Sequence, residues 1–199
     1  MKSSRWMLLA LVVLSASGCI RRLPRLLAGS EIPPDKILML GRLAMDPPVD
    51  VFIAPNTADV GGFLNKVNLL FTDKPKRTFS DVSEADFYAA TPPGSAFAVL
   101  VDRKSLFLRG VHMISTFHVG VQGPGRRVNS EIDSVICVTD LVVEPREGDR
   151  AIYIGLIICH YNLEAPTARV YDEWRDLEPT FRTHVDTSIV KMRFPHARQ

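Results

Sequence analysis

From residue 37 onward the apolar positions fall into short runs broken by Pro, Gly, Asn and Asp, at intervals that suit strands better than helices. Runs at 37–45, 49–53, 66–72, 96–102, 106–121, 130–143 and 151–163 predict strands, with a last one at 189–194. Asp46, Pro47 and Pro48 stop the first run. Val170, Tyr171, Trp174 and Leu177 recur at spacings of three and four, so residues 167–177 predict a helix with Thr167 as N-cap and Pro179 ending or kinking it. A short helix is expected at 83–87. The pattern predicts a mostly β domain over residues 37–199, an antiparallel β-sandwich or partly open barrel of about seven or eight strands with one C-terminal helix.

The chain before residue 37 reads differently. Lys2 and Arg5 precede an unbroken apolar run at 6–14, the pattern of a cleavable export signal over residues 1–18. The run reaches Ala16 with one interruption and is too short for the roughly 20 residues that cross a bilayer as a helix. Residues 19–36 hold three Pro, one Gly and no sustained periodicity, so they read as a tether. Its last 17 positions would reach roughly 55 Å when extended. Arg21, Arg22 and Arg25, set among leucines, are candidates for contact with an anionic lipid surface.

Composition narrows the class. With 199 residues, 46% hydrophobic and 23% charged, the chain suits one compact domain with its own core and excludes a disordered tail, a collagen or a polytopic membrane protein. The formal charge of +2 gives no reason to expect a nucleic-acid partner. Lys2 and Arg5 leave with the signal, so the mature chain balances 22 basic against 22 acidic residues.

Ala16, Ser17 and Gly18 lead directly into Cys19, and these residues resemble the lipobox of bacterial lipoproteins. The family prefers Leu where Ala16 stands. The resemblance implies cleavage between Gly18 and Cys19, a diacylglyceryl group on the Cys19 thiol and an acylated new amino terminus, because several acyl chains anchor far more firmly than one. Ile20 is not Asp, and in the enterobacterial members this leans towards the outer membrane, facing the periplasm. Two short fragments, Ile152-Tyr153-Ile154-Gly155 and Gly41-x-Leu43-x-x-Asp46-Pro47-Pro48, resemble a pattern in small β-rich lipoproteins without assigned activity.

The strands at 132–144 and 151–163 are joined by six residues, short enough for a hairpin. Closing that loop about Gly148 sets Cys137 opposite Cys159. The two are then either bridged or a pair of reduced core thiols, since an exported chain meets oxidising conditions but buried Cys also packs as a small hydrophobe.

Few residues of the chain point to a specific chemistry. Cys159 and His160 are neighbours on a strand and point to opposite faces, so they do not form a thiolate and its base. The hairpin register brings His160 near Val138 and Asp140, which makes a triad of Ser134, Asp140 and His160 conceivable, though no nucleophile elbow accompanies it. His112 and His118 share a strand face but stand roughly 20 Å apart, beyond common coordination of one ion. His184 and His196 fall in a loop or tail. Gly61-Gly62 and Gly120-x-x-Gly123-Pro-Gly125-Arg126-Arg127 are glycine-rich, but no helix follows to make a phosphate loop. Arg126 and Arg127 remain candidates for anionic headgroups.

No cofactor or metal is expected. The expected function is that of a lipid-anchored, non-enzymatic envelope protein, attached to the membrane through its lipid and binding another envelope protein or component. The alternatives are a periplasmic hydrolase and a carrier of a small ligand, lipid or metal.

Overall fold

The computed structural model describes residues 20–48, 67–74, 85–119, 129–161 and 165–197. The expected strand at 49–53 lies outside them. The described residues form two sheets packed face to face, with a helix on the outer face of the second. The strands are β1 (Arg21–Arg22), β2 (Lys36–Asp46), β3 (Val67–Thr72), β4 (Phe87–Thr91), β5 (Ala96–Asp102), β6 (Leu106–Val119), β7 (Asn129–Val143), β8 (Ala151–His160), β9 (Thr167–Tyr171), β10 (Val190–Met192) and β11 (His196–Ala197); helix α1 is Trp174–Phe181. Sheet A runs β1-β4-β3-β6-β7-β11, and sheet B runs β10-β8-β2-β5 with β9 also on β8. The result is a mostly β sandwich and not a closed barrel. Its sheets are mixed, because β1–β4, β2–β8 and β8–β10 pair in parallel.

Two strands explain that mixture. β2 and β8 are apolar on both faces: Ile37, Met39, Leu43, Ile152, Ile154 and Ile157 fill the space between the sheets, whereas Leu38, Leu40, Ala151 and Tyr153 pack beneath α1. A strand covered on both faces has no solvent side, and near-continuous apolar runs belong to such central, parallel-paired positions. β8 also carries a bulge opposite Gly41, where Leu40 pairs with Tyr153 but Arg42 with Leu156. The extra residue shifts the inward-facing set from 152 and 154 to 157 and 159, which brings Cys159 into the inter-sheet core.

The expected hairpin between β7 and β8 does not form. Residues 145–150 cross from sheet A to sheet B, so the two strands belong to different sheets. Pro145 cannot donate to a ladder, and Asp149 fixes the turn by accepting from the Arg146 N–H at 2.9 Å. Cys137 and Cys159 are nevertheless joined by a disulfide that ties the sheets together, with Cα atoms 5.8 Å apart.

The helix starts later than periodicity suggests. Residues 167–171 alternate exposed and half-buried positions as β9 on the end of β8, and α1 begins at Trp174. The expected stripe therefore spans two elements, and Thr167 caps nothing. The buried face of α1 is Leu177 and Phe181, with Trp174 stacked on Phe181 at 6.2 Å. Pro179 lies inside the helix. Of the short helix expected at 83–87, residues 83 and 84 lie outside the described residues, and Ala85 and Asp86 lead into β4 instead of forming a helical turn.

Both ends of the described chain close the sandwich. At one side β1 pairs with β4 of sheet A, and residues 24–26 then pass to sheet B, where the Leu100 N–H donates to Pro24 O at 2.7 Å and Arg25 bridges Val99. Leu23 is buried between the sheets and Leu26 beside α1. At the other side β10 lies on β8 and β11 on β7, fastened by the Arg193 guanidinium, which forks onto the buried Asp149 carboxylate at 2.8 and 2.9 Å. Residues 21–26, read above as tether, are thus a seam of the domain.

Candidate functional site

The N-terminal seam builds a pocket. Where β1 leaves sheet A and the chain crosses to β5, Arg21, Arg22 and Leu23 line a cavity of about 260 Å³ together with Leu100, Leu106, Lys36, Lys104 and Asp102. The register of β2 on β5 sets Lys36 opposite Asp102, and the Lys36 ammonium donates to that carboxylate at 2.5 Å. The Lys104 ammonium donates to Asp73 at 2.8 Å and lies 3.5 Å from Asp102. These bonds hold the Asp102 and Asp73 carboxyls below their ordinary values and raise both lysines.

The two arginines differ. The Arg21 guanidinium stacks 4.8 Å above the Phe87 ring, and neither Arg21 nor Arg22 has a carboxylate partner among the described residues. A guanidinium lying on an aromatic face keeps its in-plane N–H fork available, the geometry that grips phosphate or carboxylate in pairs of bonds. Lys36, Lys104 and Phe87 were not legible as site residues, because only the β2–β5 and β1–β4 pairings bring them to the arginines. Arg25 is turned away, donating to the Ala90 carbonyl.

The Lys36–Asp102 pair has a pH signature. Asp102 titrates below its ordinary 3.8 when folded, so between those values the unfolded chain binds more protons. Its contribution is complete above the ordinary value and disappears as pH falls through the folded one. Asp102→Asn should melt below wild type near pH 6, with the Tm gap closing as pH drops below 3.8. A gap unchanged in acid would show that the pair does not form.

The remaining predicted residues are dispersed. Gly18, Cys19, Gly61, Gly62, Arg126 and Arg127 lie outside the described residues, as do the side chains of Ser134, Asp140 and His118. His160 does not face β7: its strand partners are Asp46 and Thr167, and its Nδ1 lies 2.7 Å from the Asp46 carboxylate. That is an Asp–His dyad, but its Nε2 is buried with no hydrogen-bond partner among the described residues. A general base needs that nitrogen within reach of a substrate proton. His112 is buried in sheet A opposite Asn68 and Ile136, apart from His160. Among the described residues no three His, Cys, Asp or Glu side chains gather to hold a metal ion, and no helix is long and apolar enough to cross a membrane. No protein-family model, curated protein or solved structure matches the chain.

Proposed function

We propose that the chain is a lipid-anchored, non-enzymatic protein of the bacterial cell envelope, attached through Cys19 and using its β-sandwich to bind an envelope component. The observation that carries this reading is the disulfide between Cys137 and Cys159. Structural disulfides persist in oxidising compartments and are rare in the cytosol, which agrees with an export signal at the amino end. Once Cys19 is acylated, two thiols remain and they are paired. The enclosed Nε2 of His160 argues against the hydrolase alternative.

The anchor acquires a consequence from the seam. Only Ile20 separates Cys19 from β1. At ~3.3 Å per residue, two steps of chain reach about 7 Å, so the lipid would hold the sandwich against the bilayer instead of letting it stand off. Ile20 in place of Asp after the Cys favours the outer membrane. Expressed in a Gram-negative host, the wild-type chain should incorporate labelled palmitate and Cys19→Ser should incorporate none. Equal labelling of both proteins would refute the anchor.

A further inference from the structure

We propose that the pocket at the N-terminal seam receives the phosphate headgroup of an anionic phospholipid of the bilayer itself, with Arg21 and Arg22 of its lining as the available cations. The proposal deepens the reading of a lipid-anchored protein and rests on it for orientation. Three features lead to it. First, the pocket begins two residues after Cys19, so an acylated Cys19 sets its rim at headgroup level. Second, its lining mixes the two kinds of surface a headgroup region needs: Arg21, Arg22, Lys36 and Lys104 supply cationic donors, the acid Asp102 is held by Lys36, and Leu23 and Leu106 supply apolar surface for the glycerol carbons.

Third, the charge is available where it is needed. Lys36 and Lys104 are held by Asp102 and Asp73, and Asp102 lines the same pocket, whereas no ion pair joins Arg21 or Arg22 to an acid among the described residues. About 260 Å³ is below the ~300–1,000 Å³ of pockets that enclose drug-sized ligands, which suits a headgroup and not a whole lipid with its tails.

The test uses the full chain carrying Cys19→Ser, so that no acyl group contributes, and vesicles of phosphatidylcholine with or without phosphatidylglycerol. Binding should require phosphatidylglycerol, and Arg21→Gln with Arg22→Gln should weaken it roughly 30-fold, at the scale of one juxtamembrane cation each. Arg175→Gln with Lys191→Gln, two exposed cations elsewhere, should change it less than 3-fold. Equal losses from both pairs would mean diffuse attraction and overturn the pocket. So would binding to phosphatidylcholine alone at the same strength. Complete competition by millimolar inorganic phosphate at constant ionic strength would assign the site to free phosphate and overturn the lipid. Palmitate labelling at Cys19 separates the two readings: loss of label with vesicle binding intact removes the anchor and leaves the pocket, and the reverse result removes the pocket alone.

Discussion

Replacing Gly155 by Val should destabilise the protein by about 4 kcal/mol, combining a strained backbone with overpacking. In a domain of this size the expected fall in Tm is roughly 8–16 °C. Gly155 occupies the bulge of β8 with φ +98°, where an L side chain is strained whatever the space around it. There is also no space: a Cβ would stand 2.8 Å from the Tyr171 carbonyl oxygen and 2.9 Å from Val170 Cγ1. The first of these atoms is backbone in the paired strand β9, so it cannot rotate aside. Gly148 separates the two effects. Its φ is +84°, but a Cβ there meets nothing within 4 Å, so Gly148→Ala should cost only about 1 kcal/mol. Thermal unfolding of both variants provides the check. If Gly155→Val melts within a degree or two of Gly148→Ala, the bulge is not where the chain places it.

That glycine shows how far the sequence could be read. Gly41 and Gly155 stood in two short fragments with nothing to connect them, yet a Cβ on Gly41 would lie 3.0 Å from the Gly155 carbonyl oxygen and 2.6 Å from the Phe97 ring. They are two halves of one close approach between β2 and β8. Strand positions were legible because apolar runs and their Pro, Gly and Asp breaks are local: β5 occupies the expected residues, β2 and β7 differ by one position at their ends, and β3 and β6 fill the described part of theirs.

Partnership was less legible. Six residues between two long strands suggested a hairpin, but Pro145 and the two-faced apolar character of β8 favour a corner and a central place in the second sheet. Residues 167–171 failed for a related reason. Val170 and Trp174 fit one helical stripe only if Thr167–Tyr171 is not needed elsewhere, and the free end of β8 claims it as a ladder partner. The arginines of the pocket were visible as cations near the anchor. Their surroundings depend on β1 pairing with β4 across 66 positions, from Arg21 to Phe87, which no local pattern encodes.

The disulfide is the second contact of that long-range kind, and its removal should have the next largest effect. Cys137→Ala with Cys159→Ala is expected to lower stability by about 3 kcal/mol. A closed loop with sequence separation 22 restricts the unfolded chain by roughly that amount on the loop-entropy scale. The loop holds the whole crossing at residues 145–150, so without the bridge the corner between the sheets relies on Asp149, Arg193 and the packing of β10 and β11. Both sulfurs are enclosed in the inter-sheet core, so Ala at each site preserves an apolar environment and leaves no unpaired polar atom. Denaturant unfolding of the variant should therefore match that of reduced wild type, and both should fall below the oxidised protein. Iodoacetamide under denaturing conditions should alkylate neither Cys137 nor Cys159 until reductant is added, after which two carbamidomethyl groups appear at these positions. Alkylation of both without reductant, together with unchanged unfolding, would remove the bridge and with it the main support for an exported protein.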